Sequence, residues 1–278
     1  MFGNLNIFSL VLVLICTGLI DSHGLFAQPM WLDRSHDKTF SLEILKPDFE
    51  GDDNTTFTTS ALFLSGRFEA TNNTYVVGEI PFSHFGTESD FSNDESENAI
   101  GNPYLGIEIH SENYPVFGEI GLRLPLAPKD DGEDAAFMGC LTDFVDRAEA
   151  FIIDAFPISG AVNYFYKDPA GLVLRFRGGS AIWIATGDRD ETELFLLYNA
   201  QAGYESQGFS FVTGFSGRWL LTEEDLDFGE RTFHQLGLAA NVTFEKVQPG
   251  ISFRVPLDED MTDILDFVFG LTFGINLN

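Results

Sequence analysis

Near its C-terminal end the chain reads Phe267-Val-Phe-Gly-Leu-Thr-Phe-Gly-Ile-Asn-Leu277, in which large apolar residues alternate with small, mostly polar ones. Because successive side chains of a β-strand point to opposite faces, this stretch has one apolar and one polar face. The apolar face carries Phe267, Phe269, Leu271, Phe273, Ile275 and Leu277, and the other carries Val268, Gly270, Thr272, Gly274 and Asn276. The stretch predicts a strand that separates an apolar from a polar environment.

The same alternation recurs along most of the chain and predicts about twelve strands. Short links rich in Asn, Asp, Gly and Pro alternate with long links, as in barrels with tight turns at one end and long loops at the other. The predicted strands lie near residues 40–46, 57–70, 74–84, 104–111, 114–126, 151–166, 171–185, 193–206, 209–221, 232–245, 251–257 and 267–277.

Two observations decide which face of these strands points outward. In a soluble, lipocalin-like barrel the apolar face would be interior. Here the polar face carries charges of both signs, which can pair across a watery lumen. In addition, the roughly eight strands whose side chains can fill a barrel interior are fewer than the twelve predicted here, so a wholly apolar interior is not expected. The pattern therefore favours an all-β fold, a closed antiparallel transmembrane β-barrel of about twelve strands in a bacterial outer membrane.

The N-terminal region predicts export. Residues 7–20 form an apolar run that is too short to span a membrane comfortably, and Ala27-Gln28 is a plausible cleavage point. We predict a signal peptide over residues 1–27, a periplasmic segment over 28–39 and the barrel over 40–278. No later segment approaches the roughly 20 apolar residues of a transmembrane helix, so membrane insertion is expected through strands.

One long link contains a helix. In residues 133–151 the apolar side chains follow helical spacing, and this link is the third on the side of the long loops. We expect this third outer loop either to fold into the barrel and narrow it, or to lie as a surface helix against the rim.

Acidic residues dominate the charge of the chain. Asp and Glu number 43 against 15 Lys and Arg, a formal charge of -28, which argues against nucleic acid as a partner. Most of the acidity lies in the long links, as in residues 50–54. Hard carboxylate oxygens suit divalent cations, so a metal site at the rim is one interpretation and a solvated, self-repelling rim is the other. The metal-ligand candidates are Asp258, Glu259, Asp260 and Asp263.

The polar face of the predicted strands supplies candidate lumen residues. They could form a ladder that selects solutes by charge, or they could neutralise one another and brace the wall. The candidates are Arg67, Glu69, Glu108, Glu119, Arg123, Arg175, Arg177, Arg218 and Arg254.

Catalytic groups are not evident in the sequence. Cys140 is the one cysteine that follows the predicted signal peptide, and it falls on the apolar side of the predicted helix. The five histidines are scattered, and no serine is visibly tied to His110 as a serine hydrolase would require. We therefore predict no catalytic residue, no cofactor and no enzyme activity.

Two neighbouring stretches carry a family resemblance. Gly101-Asn-Pro-Tyr-Leu-Gly106, followed by Gly118-Glu-Ile-Gly-Leu-Arg-Leu-Pro-Leu-Ala127, resembles a strand pair of bacterial outer-membrane proteins described as transporters or as proteins of the meta-pathway of phenol degradation. The resemblance covers the fourth and fifth predicted strands and implies a barrel that takes up small molecules, hydrophobic ones among them. It carries over no functional residue, and the final Asn278 departs from the aromatic residue of the usual assembly signal.

These observations predict an outer-membrane channel or transporter for small solutes, narrowed by a helical outer loop. The alternative is a non-conducting structural or surface-binding barrel with an acidic, cation-binding rim. The expected partners are outer-membrane lipid, a small-molecule solute and the barrel-assembly machinery.

Overall fold

The computed structural model describes residues 39–49, 55–89, 95–189, 191–223 and 225–276. The predicted signal peptide, the periplasmic segment up to residue 38 and the acidic stretch 50–54 lie outside the described residues. The strands are β1 (Thr39–Phe49), β2 (Thr55–Phe57), β3 (Ser60–Thr71), β4 (Thr74–Ser89), β5 (Glu95–Ile100), β6 (Tyr104–His110), β7 (Val116–Arg123), β8 (Ala155–Lys167), β9 (Leu172–Ala185), β10 (Glu193–Glu205), β11 (Phe209–Leu220), β12 (Thr232–Val242), β13 (Val247–Pro256) and β14 (Leu265–Asn276).

Twelve of these strands pair antiparallel in a closed ring, which confirms the predicted barrel. Each ring strand pairs with the next along the chain, and β14 returns to β1 with Asn276 opposite Thr39. The short strands β2 and β5 stand outside the ring order, and each pairs with the distal part of β4. We call the end of the barrel with long links the loop end, and the opposite end the turn end.

The two faces of the wall point as predicted. Along β14, Leu271 faces outward and is 50% exposed, whereas its neighbour Thr272 faces the lumen and is 7% exposed. The same contrast holds across β6 and β7, where the isoleucines lie outside and the charged residues inside. Because outward apolar side chains remain uncovered within the protein, this surface is suited to lipid.

At the loop end the lumen is filled by apolar side chains, which the sequence pattern did not predict. Leu45, Phe63, Trp183 and Phe195 point inward from four ring strands and pack around Phe151 of the third outer loop. All five are buried, and the Phe63 and Phe151 rings meet edge to face with centroids 5.8 Å apart. The polar lining of the lumen is therefore confined to its middle and its turn end.

The third outer loop, residues 124–154, forms two short helices and a 3-10 turn. Helix α1 spans Glu133–Thr142, helix α2 spans Phe144–Arg147, and the 3-10 turn spans Ala148–Ala150. The single predicted helix over 133–151 is therefore interrupted at Asp143, whose φ of -135° and ψ of 42° are not helical. The interruption directs the Asp143 carboxylate into the lumen, and the following turn delays β8 to Ala155 instead of residue 151.

Small residues let α1 approach the wall closely. A Cβ atom at Gly139 would stand 2.7 Å from the Cβ of Ser83 on β4. Cys140 next to it is buried, as expected for an apolar position of this helix. A further short helix, α3, spans Glu259–Thr262. Among the described residues, no helix is both long and apolar enough to cross a membrane.

Candidate functional site

A ring of buried charges joins the third outer loop to the wall. Residues 143–150 of this loop, which we call the plug, lie inside the barrel. Arg254 of β13 donates from Nη2 to Glu43 of β1 at 2.7 Å and from Nη1 to Asp143 of the plug at 2.7 Å. Arg147 of the plug hydrogen-bonds the same two carboxylates. Two arginines and two carboxylates thus close a ring that is nearly inaccessible to solvent.

Arg147 has two more contacts in the lumen. Its Nη1 lies 3.2 Å from Glu79 Oε2 on β4, and its guanidinium carbon lies 3.6 Å from the centre of the Phe63 ring. An arginine with several buried carboxylates and an aromatic face keeps its charge compensated. Removing one member of such a buried network typically costs about 3–5 kcal/mol, since an uncompensated charge stays behind.

A second group of contacts joins the plug to β9, β11 and β12. Arg218 of β11 is fully buried and donates from Nη2 to Glu149 of the plug at 2.9 Å. Trp183 Nε1 donates to the same carboxylate at 3.1 Å. Gln235 of β12 donates from its amide to Asp146 at 2.6 Å. The plug is therefore anchored to β1, β4, β9, β11, β12 and β13.

Two carboxylates of the plug, Asp143 and Glu149, are held ionised by their arginine partners. Burial alone would raise the pKa of the Asp143 carboxyl, but Arg147 and Arg254 outweigh burial and lower that pKa. Burial likewise opposes ionisation of Glu149, and the guanidinium of Arg218 outweighs it and lowers the pKa of this carboxyl. Both groups belong to the loop and not to a spanning strand.

The stretch that carries the family resemblance fastens the two ends of the third outer loop. Asn102 is fully buried; its amide nitrogen donates to the carbonyls of Glu149 and Ile152, and its amide oxygen accepts from the backbone of Leu126 and Ala127. This side chain thus joins the start of the loop to its end. A Cβ at Gly101 would stand 2.2 Å from the carbonyl oxygen of Ala150, so only glycine fits beside the loop.

Tyr104 of the same stretch lies against the wall inside the lumen. Its hydroxyl donates to Glu119 Oε1 at 2.8 Å. A Cβ at Gly121 would stand 2.2 Å from the Tyr104 hydroxyl oxygen, and one at Gly106 would stand 2.5 Å from it. The glycines of the two resembling strands therefore provide the slot that this ring occupies.

The structure places the nine candidate lumen residues in two environments. Eight of the nine point into the lumen and are largely buried, and Glu69 is exposed at the turn end of β3. The eight form ion pairs: Arg67 with Glu108 at 2.8 Å, Arg123 with Glu79 at 2.7 Å, Arg175 with Glu205 at 3.5 Å, Arg177 with Glu119 at 3.3 Å, Arg218 with Glu149 at 2.8 Å and Arg254 with Glu43 at 2.7 Å. Of the two interpretations, this geometry matches charges that neutralise one another and brace the wall.

Sequence reasoning left Asp143, Arg147, Glu149, Asn102 and Tyr104 out of the candidate set. The available signal was the presence of charged residues inside an otherwise apolar helical stretch, since a purely superficial helix would place them toward solvent. Glu43 and Glu79 lie on the polar faces of their strands, as the alternation of the sequence requires, but the sequence does not indicate which arginines they meet.

The acidic metal-ligand candidates do not converge. Asp258 precedes α3 and accepts a hydrogen bond from His234 Nδ1 at 2.9 Å, while Glu259 and Asp260 lie in the first turn of α3 and Asp263 follows it. Within the described ranges, no three His, Cys, Asp or Glu side chains are arranged to hold a metal ion.

The described histidines contact groups other than hydroxyl nucleophiles of serine. His84 meets Asn98, His110 meets Arg67 and Glu108, and His234 lies between Asp258 and the Tyr198 hydroxyl. None of these arrangements reproduces a Ser-His-acid set.

Beneath the plug lies a polar cavity of about 90 Å³. Plug residues Val145, Asp146, Arg147 and Glu149 form one side of it. The opposite side is lined by charged and aromatic residues of the wall, among them Glu79, Tyr104, Glu119, Arg123 and Arg177.

No family model and no curated protein matches this chain. Among solved structures, an outer membrane channel from Pseudomonas putida F1 is similar over 90% of this chain and 99% of its own, with 13% identity and a TM-score of 0.59. LpxR from Salmonella typhimurium is similar over 86% of this chain and 100% of its own, with 12% identity and a TM-score of 0.51. The NanC porin covers the same shares, with 7% identity and a TM-score of 0.52. These identities show the fold alone, and that fold is an outer-membrane β-barrel, while membership of the meta-pathway group stays a prediction.

Proposed function

We propose that this chain is a channel or transporter for small solutes in a bacterial outer membrane, and that the third outer loop narrows its lumen. The observation that carries the proposal is the position of the plug. Residues 143–150 lie inside a closed ring of twelve strands, with an apolar cluster on their loop-end side and a polar cavity beneath. A closed barrel with a polar, charge-balanced interior offers a route through lipid that depends on how the interior is filled.

The similarity to an outer membrane channel and to a porin supports the general role and leaves the solute open. The plug supports the narrowing, because its contacts with the wall are specific ion pairs and not loose surface packing. In this proposal the arginines of the lumen hold the wall and the plug together, and solutes pass only where the plug leaves space.

The proposal is tested by conductance in planar bilayers of the refolded protein. We expect small, discrete currents from the unaltered chain, and currents several-fold larger when residues 133–150 are replaced by a short Gly-Ser linker. A linker variant that inserts and folds but conducts no better than the unaltered chain would contradict narrowing by the loop. Absence of current from both proteins would contradict the channel itself.

A non-conducting barrel is the second candidate. Its support is the apolar cluster at the loop end, which packs like the core of a soluble protein. In that case the barrel would act through its acidic rim, as a structural or surface-binding protein. Liposome swelling that is absent for every small sugar and salt tested, together with binding of divalent cations, would favour it over the channel.

The membrane placement and the partners follow from the same proposal. The outward face carries exposed apolar residues on every side of the ring, which supports contact with outer-membrane lipid. Insertion of such a barrel calls for assembly machinery, and the acidity of the chain argues against nucleic acid as a partner. Recovery of the protein in a soluble periplasmic fraction would contradict this placement.

A further inference from the structure

Three hydrogen-bond donors stand side by side on the lumen wall below the plug. Asn163 of β8 lies directly opposite Arg177 of β9, and Arg177 lies directly opposite Asn199 of β10. All three have the inward parity of their strands. Neighbouring strands are roughly 5 Å apart, so the three polar groups form one row about 10 Å long.

The two asparagines of this row are buried. Asn163 is 4% exposed and Asn199 is 6% exposed. Within the described ranges, neither amide nitrogen has a hydrogen-bond partner. A buried donor without an acceptor is destabilising, because it has given up its hydrogen bonds to water, so an acceptor placed beside the two nitrogens would be stabilised by both of them.

Arg177 between them is only loosely paired. Its Nη1 lies 3.3 Å from Glu119 Oε2, and the side chain is 18% exposed. The ion pairs of Arg123 and Arg254 are 2.7 Å long and more deeply buried. Glu119 is also shared, because its other oxygen accepts from Tyr104. Arg177 therefore keeps N–H donors that point into accessible space.

The charges around the row are nearly balanced. Arg177 pairs with Glu119 and shares a cavity with Glu108 and Asp146, while Arg175 and Lys167 both pair with Glu205. Recognition of an anion at the row therefore rests on the hydrogen-bond donors and not on a surplus of charge.

An apolar surface faces the same space. A cavity of about 20 Å³ is lined by the donor row together with Phe117 and Phe165. The two phenylalanines also line an adjoining cavity of about 100 Å³ toward the turn end. For comparison, a dry cavity of about 150 Å³ holds benzene, so the two spaces of about 100 and 20 Å³ together approach the volume that one small flat ring needs.

We propose that Asn163, Arg177 and Asn199 bind the carboxylate of a small aromatic acid whose ring lies against Phe117 and Phe165. A carboxylate accepts about four hydrogen bonds and therefore suits a guanidinium flanked by two amide nitrogens. A neutral alcohol has fewer acceptor sites. An ammonium group has only hydrogen-bond donors and cannot accept from this row. This proposal deepens the proposed channel function by naming a solute class, and the site lies on the route that such a solute would take.

Calorimetry with the refolded full-length barrel in detergent tests the site without requiring conductance. Benzoate is the probe, and benzyl alcohol and benzylammonium are its matched neutral and cationic counterparts. We expect benzoate to bind more tightly than either. The variants Arg177→Gln and Asn199→Asp are each expected to weaken benzoate binding about tenfold to a hundredfold, the range for a hydrogen bond to a charged group.

Two further variants separate the site from general effects. Lys167→Gln removes a cation at the turn end outside the row and is expected to leave benzoate affinity within about twofold. Arg177→Lys keeps the charge and is expected to retain part of the affinity. Heat-dependent migration of the folded barrel on gels confirms that each variant is folded.

Equal affinity for benzoate and benzyl alcohol, or equal benzoate affinity of the unaltered chain and folded Arg177→Gln, would overturn the site. Failure of the channel gives a different result. If the barrel binds benzoate through Arg177 but carries no current, the proposed site stands and the proposed channel function is contradicted. If the barrel conducts but does not bind benzoate, the proposed channel function stands and the proposed site is contradicted.

Discussion

Arg254 of β13 and Asp143 of the third outer loop form a fully buried ion pair, with Nη1 2.7 Å from Oδ1. The two residues are 111 positions apart in the chain. Their contact joins the barrel wall to the plug, so the pair couples the stability of the barrel to the position of the plug.

The variant Asp143→Asn is predicted to loosen the plug. It removes one of the two carboxylates shared by Arg147 and Arg254, and the resulting excess of buried positive charge should lower the free energy of unfolding by about 3–5 kcal/mol. Urea unfolding in micelles measures that loss, and bilayer recordings should show more frequent or larger openings. The matched variant Asp188→Asn, at an exposed carboxylate, should leave both measurements unchanged.

The apolar contact of the third outer loop at Phe151 is predicted to matter as much as the charges of the plug. Phe151→Ala empties the centre of the loop-end cluster and should cost about 3–5 kcal/mol, because Phe151 is fully buried against Phe63. Phe137→Ala, on the exposed side of α1, is the control and should change stability by less than about 0.5 kcal/mol. Similar losses in the two variants would mean that the loop does not pack inside the barrel.

A methyl group at Gly121 is predicted to displace Tyr104. Its Cβ would stand 2.2 Å from the tyrosine hydroxyl, so the ring must leave its slot and lose the hydrogen bond to Glu119, at a cost of about 1–3 kcal/mol. Gly118→Ala on the same strand is the matched control, since no atom lies within 4 Å of the added methyl. Thermal unfolding of both variants measures the difference, and we expect the lower midpoint for Gly121→Ala. Equal midpoints would show that the Tyr104 ring does not pack against Gly121.

The closure by the plug is predicted to depend on pH only under acidic conditions. The pKa values of Asp143 and Glu149 are lowered by their arginine partners, so the stability that they contribute is present above the ordinary carboxyl range and disappears as pH falls through the folded values. Conductance should therefore stay flat from about pH 8 to 5 and rise only below about pH 4. In Arg218→Gln the pKa of Glu149 should increase and the rise should begin at higher pH. A rise centred near neutral pH would instead indicate histidine.

The strand pattern of this chain was predictable because it is local. Each ring strand shows its two faces within ten or so residues, and the turn residues that follow need no information from elsewhere in the chain. This is why the predicted strand at 193–206 and the observed β10 at Glu193–Glu205 nearly coincide. The sixth strand was predicted four residues too long at its start, because the 3-10 turn before it is shaped by contacts inside the barrel.

In the candidate site, too, the local features could be predicted and the long-range contacts could not. The inward direction of Arg177 and Arg254 follows from parity alone, and so does the outward direction of Leu271. The partners of those arginines do not, because Arg254 meets Glu43 across 211 positions and no repeat in the sequence relates the two. Whether the charges form a ladder that selects solutes or neutralise one another depends on these contacts between residues that are distant in the sequence.

By itself the sequence determined a closed, twelve-stranded wall with an apolar exterior and a polar interior, since alternation with a period of two and the alternation of short and long links are properties of neighbouring residues. Only the tertiary structure decided that the third outer loop enters the lumen and that Asp143, Arg147 and Glu149 fasten it there. A helix with apolar and charged residues can lie on a rim or inside a barrel equally well until the carboxylates and arginines that would meet it are known. Those groups come from β1, β4, β11 and β13, which closure of the ring brings together around the plug.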